Sequence, residues 1–332
     1  QIAKAILWRH KPRIIAVTGS VGKTSTKDAI YTVLKGTGSV RRSEKSFNSE
    51  LGVPLSIIGA KSGWNSFSSW LLVIARGLWQ IIEPGKNYPK TLVLEVGADR
   101  PGDIRAIAKW IKPHIVVITR LPDVPVHIEF FPTLDSLIDE KLSLARYMRR
   151  DGTLILNADD PRVLAAREEM HVRTITYGVN ESAMMRASNV QLLAPDEHGR
   201  TGGLAFKLDF EGKSLPVILP NIYGESYMSI ALAALAVAYA AGENIVTAIG
   251  NIAEYETPPG RVRLIPGTHG TILIDDTYNS SPAACEAGLK MLKELPFGKK
   301  KIAILGDMLE LGKHTNDAHA AIGKVARKSA DV

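Results

Sequence analysis

The run Thr18, Gly19, Ser20, Val21, Gly22, Lys23, Thr24, Ser25, inside RIIAVTGSVGKTSTKDAI, has the residue types of a phosphate cradle. Gly19 and Gly22 permit a tight turn that aims backbone N–H groups inward, and a helix starting beyond them favours anions at its N-terminus. Lys23 is placed to reach the β- and γ-phosphates of a nucleoside triphosphate, and the Thr24 hydroxyl to hold Mg²⁺. A strict Walker loop has Gly where Val17 stands, so the motif departs from its commonest form. A glycine turn followed by a solvated lysine uses the same residues. Here strand, glycines, lysine, threonine and helix coincide, which favours the cradle.

Glu95 closes the apolar run TLVLEVGA. A carboxylate at the ligand-bearing end of an α/β sheet can hold Mg²⁺ against phosphates, or it can be a solvated strand-end acid. Taken alone, His127 reads as an exposed loop residue after a proline-rich stretch. Lys141, in DSLIDEKLSLARY, reads as part of a solvated helical face. Asn157, Asp159 and Asp160 in LNADDP read as a turn, with Asp160 capping a helix that opens on Pro161.

These residues need a scaffold. RIIAVTG, TLVLEVGA, HIVVITR and TLILNAD are apolar without polar alternation, the pattern of strands covered on both faces of a parallel sheet. Helical patterns over Thr24–Leu34, Asn65–Ile82, Pro101–Trp110 and Leu134–Met148 alternate with them. The fold class is therefore α/β, a doubly wound, mostly parallel P-loop sheet. After Arg173 the texture changes: ASNVQLL, LAFKLDF and SLPVILP predict an antiparallel edge. GESYMSIALAALAVAYAAG predicts a long buried helix closed by Gly242. The prolines and glycine of YETPPGR mark a boundary, giving domains over 1–258 and 259–332. Beyond it, a new strand, GTILIDDTY, a helix from Pro282, a strand KKIAILGD and a helix from Asn316 begin a second, Rossmann-like α/β unit. That unit is incomplete within this sequence.

Composition narrows the class. The 332 residues are 45% hydrophobic and 23% charged, ordinary for a globular protein, and the net charge of +7 suits anionic partners. Basic residues are scattered without aromatic interleaving, which points to anionic small molecules rather than nucleic acid. A single cysteine, Cys285, excludes an internal disulfide and fits a reducing, cytoplasmic compartment. No signal peptide pattern is visible. WNSFSSWLLVIARGLWQII, interrupted by Arg76, and ALAALAVAYAA, too short to span a bilayer, read as packed helices. The first, with Trp64, Trp70 and Trp79, also suits peripheral contact with a membrane surface.

The phosphate loop lacks the first Walker glycine, as does that of the Mur ligases, which typically reads TGxxGKT/S. The chain resembles that family along nearly its whole length. SFNSELGVPLSI resembles the asparagine-containing segment after the first helix, LVLEVGADRPGDI the acidic strand end, VHIEFFPTLDSLIDEKLSL the His-to-Lys segment and LILNADDPRV the Asn-Asp-Asp turn. PPGRVRLI, ILIDDTYNSSPAA and AILGDMLELG are most similar to the MurF branch, which adds D-alanyl-D-alanine to a UDP-muramyl-tripeptide. The resemblance implies ATP and two Mg²⁺ ions. It implies that Thr24, Glu95, His127 and Lys141 serve the metals, Lys141 as an N-carboxylated lysine. It also implies that Arg261 reaches the γ-phosphate on domain closure and that Asp276 contacts the ribose, with Tyr278 and Asn279 beside it in the same cleft. Lys23, Glu95, His127, Lys141 and Arg261 are then the catalytic set, and the enzyme a monomer.

Three departures stand out. The family's long helix usually begins GxHN with a further Asn one turn on, where this chain has Ser226, Tyr227 and Ile230, so adenine recognition must differ. Ser281 stands where the MurF branch commonly has Asn. Only Gln1 to Pro12 precede the first strand, so the segment that grips UDP in the family has no counterpart in these residues. The implied reaction moves the γ-phosphoryl of ATP to a substrate carboxylate, and an amine then displaces phosphate. The alternatives are another amide ligase of the superfamily (folylpolyglutamate, cyanophycin or poly-γ-glutamate type), a non-catalytic nucleotide-binding scaffold, and a P-loop protein acting on nucleic acid.

Overall fold

The computed structural model describes all residues except 45, 84, 86, 124–126, 195–201 and 296–299. Nine strands form one sheet: β1 (Arg13–Thr18), β2 (Val40–Arg42), β3 (Thr91–Glu95), β4 (Ile115–Ile118), β5 (Thr153–Asn157), β6 (Arg173–Gly178), β7 (Met185–Leu193), β8 (Gly203–Phe210) and β9 (Lys213–Pro220). Their order is β2-β3-β1-β4-β5-β6-β7-β8-β9, parallel as far as β7 and antiparallel from β7 to β9. The helices are α1 (Ile2–His10), α2 (Lys23–Leu34), α3 (Gly52–Ile58), α4 (Phe67–Ile82), α5 (Asp103–Ile111), α6 (Leu134–Arg146), α7 (Pro161–Glu169), α8 (Glu225–Ala240), α9 (Ile245–Ile252), α10 (Pro282–Glu294) and α11 (Thr315–Ser329). A separate antiparallel pair, β10 (Arg263–Pro266) and β11 (Ile272–Asp275), precedes α10.

The apolar strands read as they do because both faces are covered. Ile15, Val17, Val93, Val117 and Ile155 pack into one core with α2, α8 and α9. Their neighbours Ile14, Ala16, Leu92, Leu94 and Val116 point the other way, into a second core beneath α1, α3, α4, α5, α6 and α7. Alternation along a strand thus becomes an unbroken apolar run. The expected antiparallel edge and the buried α8 are both present, α8 lined with eleven buried residues.

β1 sits between β3 and β4, so consecutive connections leave it in opposite directions. That is the switch point at which open α/β sheets form their ligand crevice. The register pairs Val17 with Glu95 and Thr18 with Ile118, which brings the phosphate loop, Glu95 and Thr119 to one end.

Two expectations need correction. KKIAILGD is not a strand. Its backbone contacts run to the chain's last residues, with Ala303 N–H donating to Val332 O and Asp331 N–H to Lys301 O. Apolar β-formers make a ladder only beside a partner strand, and β11 pairs only with β10 among the described residues. Nor is the Trp-rich helix fully packed. α4 buries only Val73, Gly77 and Gln80, and leaves most of its apolar residues in solvent. No helix among the described residues is long and apolar enough to cross a membrane.

Candidate active site

The loop between β1 and α2 is shaped by what lies beside it. Gly19 has φ +138°, and a Cβ there would stand 2.0 Å from Thr119 Oγ1, so no side chain fits. Thr119 in turn donates to Val21 O at 2.7 Å. The amides of Ser20 and Val21 both reach Arg120 O, at 2.9 and 3.4 Å. The residues that follow β4 therefore hold the loop and take up the Ser20 and Val21 amides.

α2 starts after Gly22, which has φ +82°, with no side-chain cap and no acid in its first turn. The N-termini of α6, α7 and α10 are instead capped by Thr133, Asp160 and Ser281, whereas α1, α3, α5, α8 and α11 also lack a side-chain cap. An uncapped helix N-terminus at a sheet's switch point leaves N–H groups and a positive partial charge for a ligand. The hydroxyls of Thr18 and Ser20 are buried here without a partner among the described residues. Buried hydroxyls are rarely left so, and a bound phosphate would satisfy them.

Thr24 is the hub. Its hydroxyl lies 2.9 Å from Glu95 Oε2, 3.3 Å from Ser46 Oγ and 3.1 Å from the Arg261 guanidinium. Asn48 donates to the other Glu95 oxygen at 3.1 Å, and Tyr278 OH donates to Ser46 Oγ at 2.9 Å. Arg261 also stacks over the Tyr278 ring, 4.4 Å from its centroid. Its backbone carbonyl accepts the Tyr227 hydroxyl. Tyr227, a departure in the sequence, thus anchors the segment that carries Arg261.

Two lysines face the same loop. Lys23 Nζ donates to Ser20 O at 3.3 Å. Burial lowers its pKa, Glu95 opposes the fall, Arg261 deepens it and Asp99 opposes it again. Lys141 is 2% exposed and donates to Gly19 O at 3.2 Å. Burial, and next the charge of Lys23, bring its pKa down to about 7. The solvated helix face that spacing alone suggested is therefore wrong for this residue. α6 turns Glu140 and Lys141 inward, and the Glu140 carboxylate accepts the Arg105 N–H at 3.0 Å.

His127 lies beside this group, in a left-handed backbone conformation with φ 67°. Its Nδ1 is 2.6 Å from Glu310 Oε2 and its Nε2 is 3.9 Å from Asp99 Oδ1. Burial lowers its pKa, against the raising effect of Glu310 and Asp99. The resemblance made His127 a metal ligand; here one nitrogen is engaged by a residue from far along the chain. Asp276 is half-buried, with its carboxyl pushed up to about 6 chiefly by desolvation. The Val262 amide and Arg261 pull that value down. Asn279 is exposed.

The donor set bears on metals unevenly. No three His, Cys, Asp or Glu side chains cluster as a cage among the described residues. Thr24 and Glu95 supply two hard oxygens in contact, which suits Mg²⁺, an ion that takes few protein ligands and completes its shell with phosphates and water. As an ammonium, Lys141 is no ligand; as a carbamate it would be one. Asp160 accepts N–H groups from Leu121, Arg162 and Val163, the structural part expected of it.

Sequence reasoning did not place Thr119, Asp99 or Glu310. A threonine ending an apolar strand reads as an ordinary strand residue, and the other two are exposed acids without spacing to mark them.

Known proteins share the fold and its domain order. Residues 77–238 match the Mur ligase middle domain, and residues 260–332 match the Mur ligase glutamate ligase domain. The chain is 28% identical over 331 residues to the UDP-N-acetylmuramoyl-tripeptide--D-alanyl-D-alanine ligase of Mycobacterium leprae, covering 94% of this chain and 59% of that protein. MurF of Acinetobacter baumannii shares the fold with a TM-score of 0.81 at 23% identity, over 98% of this chain and 64% of the other. MurF of Thermotoga maritima, solved in complex with ADP, gives 0.77 at 26% identity, over 97% and 66%. The chain spans less than two thirds of the length of each. With two successive domains of one family matched in order, and a phosphate loop of that family's form at the switch point, the chain belongs to the Mur ligase family.

Proposed function

We propose that this chain carries the chemistry of an ATP-dependent amide ligase of peptidoglycan precursor synthesis, adding D-alanyl-D-alanine or a similar amine to a UDP-muramyl-peptide. On this reading it acts as a monomer in the cytoplasm, with residues 1–258 holding the nucleotide and 259–332 closing over it. The observation that carries the reading is the meeting of both parts on one atom: Thr24 Oγ1 touches Glu95 from the sheet and Arg261 from beyond residue 259.

A carboxylate and an amine do not condense usefully in water, because the oxygen that must leave is a poor leaving group. Transfer of the γ-phosphoryl of ATP to the carboxylate makes a mixed anhydride, the amine attacks its carbonyl, and phosphate departs with the carboxylate oxygen. Lys23 and the first turn of α2 orient the phosphates and spread their charge. Arg261 adds a second cation on the far side, so transfer waits until the two parts meet. Mg²⁺, held by Thr24 and Glu95, would further neutralise the transferring group. A second ion near His127 requires N-carboxylated Lys141. A neutral amine is what CO₂ attacks, and a pKa near 7 makes that form abundant. Asp276, Tyr278 and Asn279 are assigned to the nucleoside side of the cleft.

The test is phosphate release in a matrix of UDP-muramyl-peptides against D-Ala-D-Ala and single amino acids, with product masses. We expect release to require both a UDP-muramyl-tripeptide and the dipeptide. Release with folates or glutamate instead would move the assignment to another ligase of the superfamily. No amide product with any pair would remove it.

A further inference from the structure

On the opposite side of the sheet from α8, α4 exposes Leu71, Leu72, Ile74, Leu78, Trp79 and Ile82. At 3.6 residues per turn, the exposed apolar residues of α4 fall in one sector of about 160°, with Arg76 at its rim. The buried Val73, Gly77 and Gln80 lie on the opposite face. Leu72 is 72% and Ile82 75% exposed, and Trp64, just before the helix, is 84% exposed. α1 packs tightly along α4: a Cβ on Gly77 would meet Ile2 Cγ2 at 2.6 Å, and His10 Nε2 lies 2.7 Å from Gln80 O. α1 adds an exposed Trp8 to this layer. All five tryptophans of the chain, at 8, 64, 70, 79 and 110, belong to α1, α4, α5 or the turn before α4.

Charge is concentrated in the same segments. Residues 1–12 and 59–90 contain seven Lys or Arg and one Glu, net +6, while the other 288 residues hold 34 basic and 33 acidic side chains. Lys4, Arg9, Lys11, Lys61, Arg76 and Lys90 are all exposed. A protein partner needs only the apolar patch. An apolar sector flanked by tryptophans and excess cations matches the acyl boundary and the anionic headgroups of a bilayer together.

We propose that α4, with Trp64 and the exposed side of α1, is a peripheral docking face for a membrane with anionic lipids. α4 lies in the interface plane with its apolar sector among the acyl chains and Arg76 and its neighbours on the phosphates. At 16 residues it extends about 24 Å, so it lies on the bilayer and does not span it. This face is separate from the nucleotide site and does not depend on how that site is read.

The test is co-sedimentation of the purified chain with vesicles of phosphatidylcholine alone and of phosphatidylcholine with phosphatidylglycerol, read alongside tryptophan emission. Binding at least about tenfold tighter to the anionic vesicles, weakened by salt and accompanied by a blue shift, is expected. The double variant Leu72→Glu/Ile82→Glu changes only exposed side chains, so its melting temperature and nucleotide affinity should hold while vesicle binding falls about tenfold or more. Failure to bind anionic vesicles would overturn the proposal, as would equal binding by the variant. A dimer in light scattering that the variant dissolves, with no vesicle binding by either form, would assign the face to a second copy and overturn it equally.

Discussion

The cradle around α2 and the segment that closes on it are built differently. Thr119, Arg120 and Lys141 tie the phosphate loop to β4 and α6 through backbone atoms, and Asn48 and Thr24 hold both oxygens of Glu95. Residues beyond 259 reach the same place by side-chain tips, Arg261 on Thr24, Tyr278 on Ser46 and Glu310 on His127. They are held beside it by the Tyr227 hydroxyl on the Arg261 carbonyl and by apolar packing of Met291 and Leu295 with Tyr223. The first set is positioned by a sheet with apolar cores on both faces. The second rests on a two-stranded pair and two helices, and meets the first through a small apolar cluster and a few polar contacts. On the proposed reading, one half is preorganised and the other arrives on closure.

Breaking the cradle should cost most. Lys23→Met removes the cation nearest the proposed phosphates and should cut phosphate release by about 10³-fold or more, with weaker nucleotide binding by calorimetry. Unchanged turnover would end the comparison at once. Lys141→Arg keeps the charge but cannot take up CO₂, and should cost about 10²-fold or more.

The pH dependence of Lys141 has a definite sign. With the folded pKa at about 7 and the ordinary value at 10.5, the unfolded chain holds a proton between those limits that the folded chain has released. This group's contribution to stability therefore rises with pH across that window and is least favourable below about 7. Carbamate formation, followed by ¹³C NMR under ¹³CO₂, should likewise grow from pH 6 to pH 8, and Lys141→Arg should abolish the signal. A signal that falls over that range would contradict the burial argument.

The arriving half should behave otherwise. Arg261→Ala should lower turnover by about 10²-fold while leaving nucleotide affinity within a few-fold, because the cradle is complete without it. Equal losses in both would mean that the two halves are one unit. Tyr227→Phe is the gentlest probe. It strands the Arg261 carbonyl and should cost about 1 kcal/mol of stability by denaturant melting, with a small loss of turnover.

The preorganised half was also the more legible. Apolar runs without alternation announced the parallel strands, and Gly19, Gly22, Lys23 and Thr24 announced the loop, because each chemistry lies in adjacent residues. Thr119 and Arg120 shape that loop through contacts set only by strand register. Lys141 sits among charged neighbours, so its pattern is that of a surface lysine; only resemblance pointed inward, and burial by the neighbouring loop bears that placement out. The Glu310–His127 contact joins residues 183 positions apart, with no periodicity to link them. α4 misled because an apolar helix usually signals a core, whereas here one edge finds the core and the rest faces solvent.

The most direct test labels the acceptor carboxylate of the UDP-muramyl-tripeptide with ¹⁸O and follows the phosphate released with ATP and D-Ala-D-Ala. If both halves meet on a phosphoryl group passing to that carboxylate, one labelled oxygen leaves in each inorganic phosphate, and Arg261→Ala slows the label and the phosphate together. Acceptor-dependent phosphate without label, or phosphate release indifferent to the acceptor, would contradict the account.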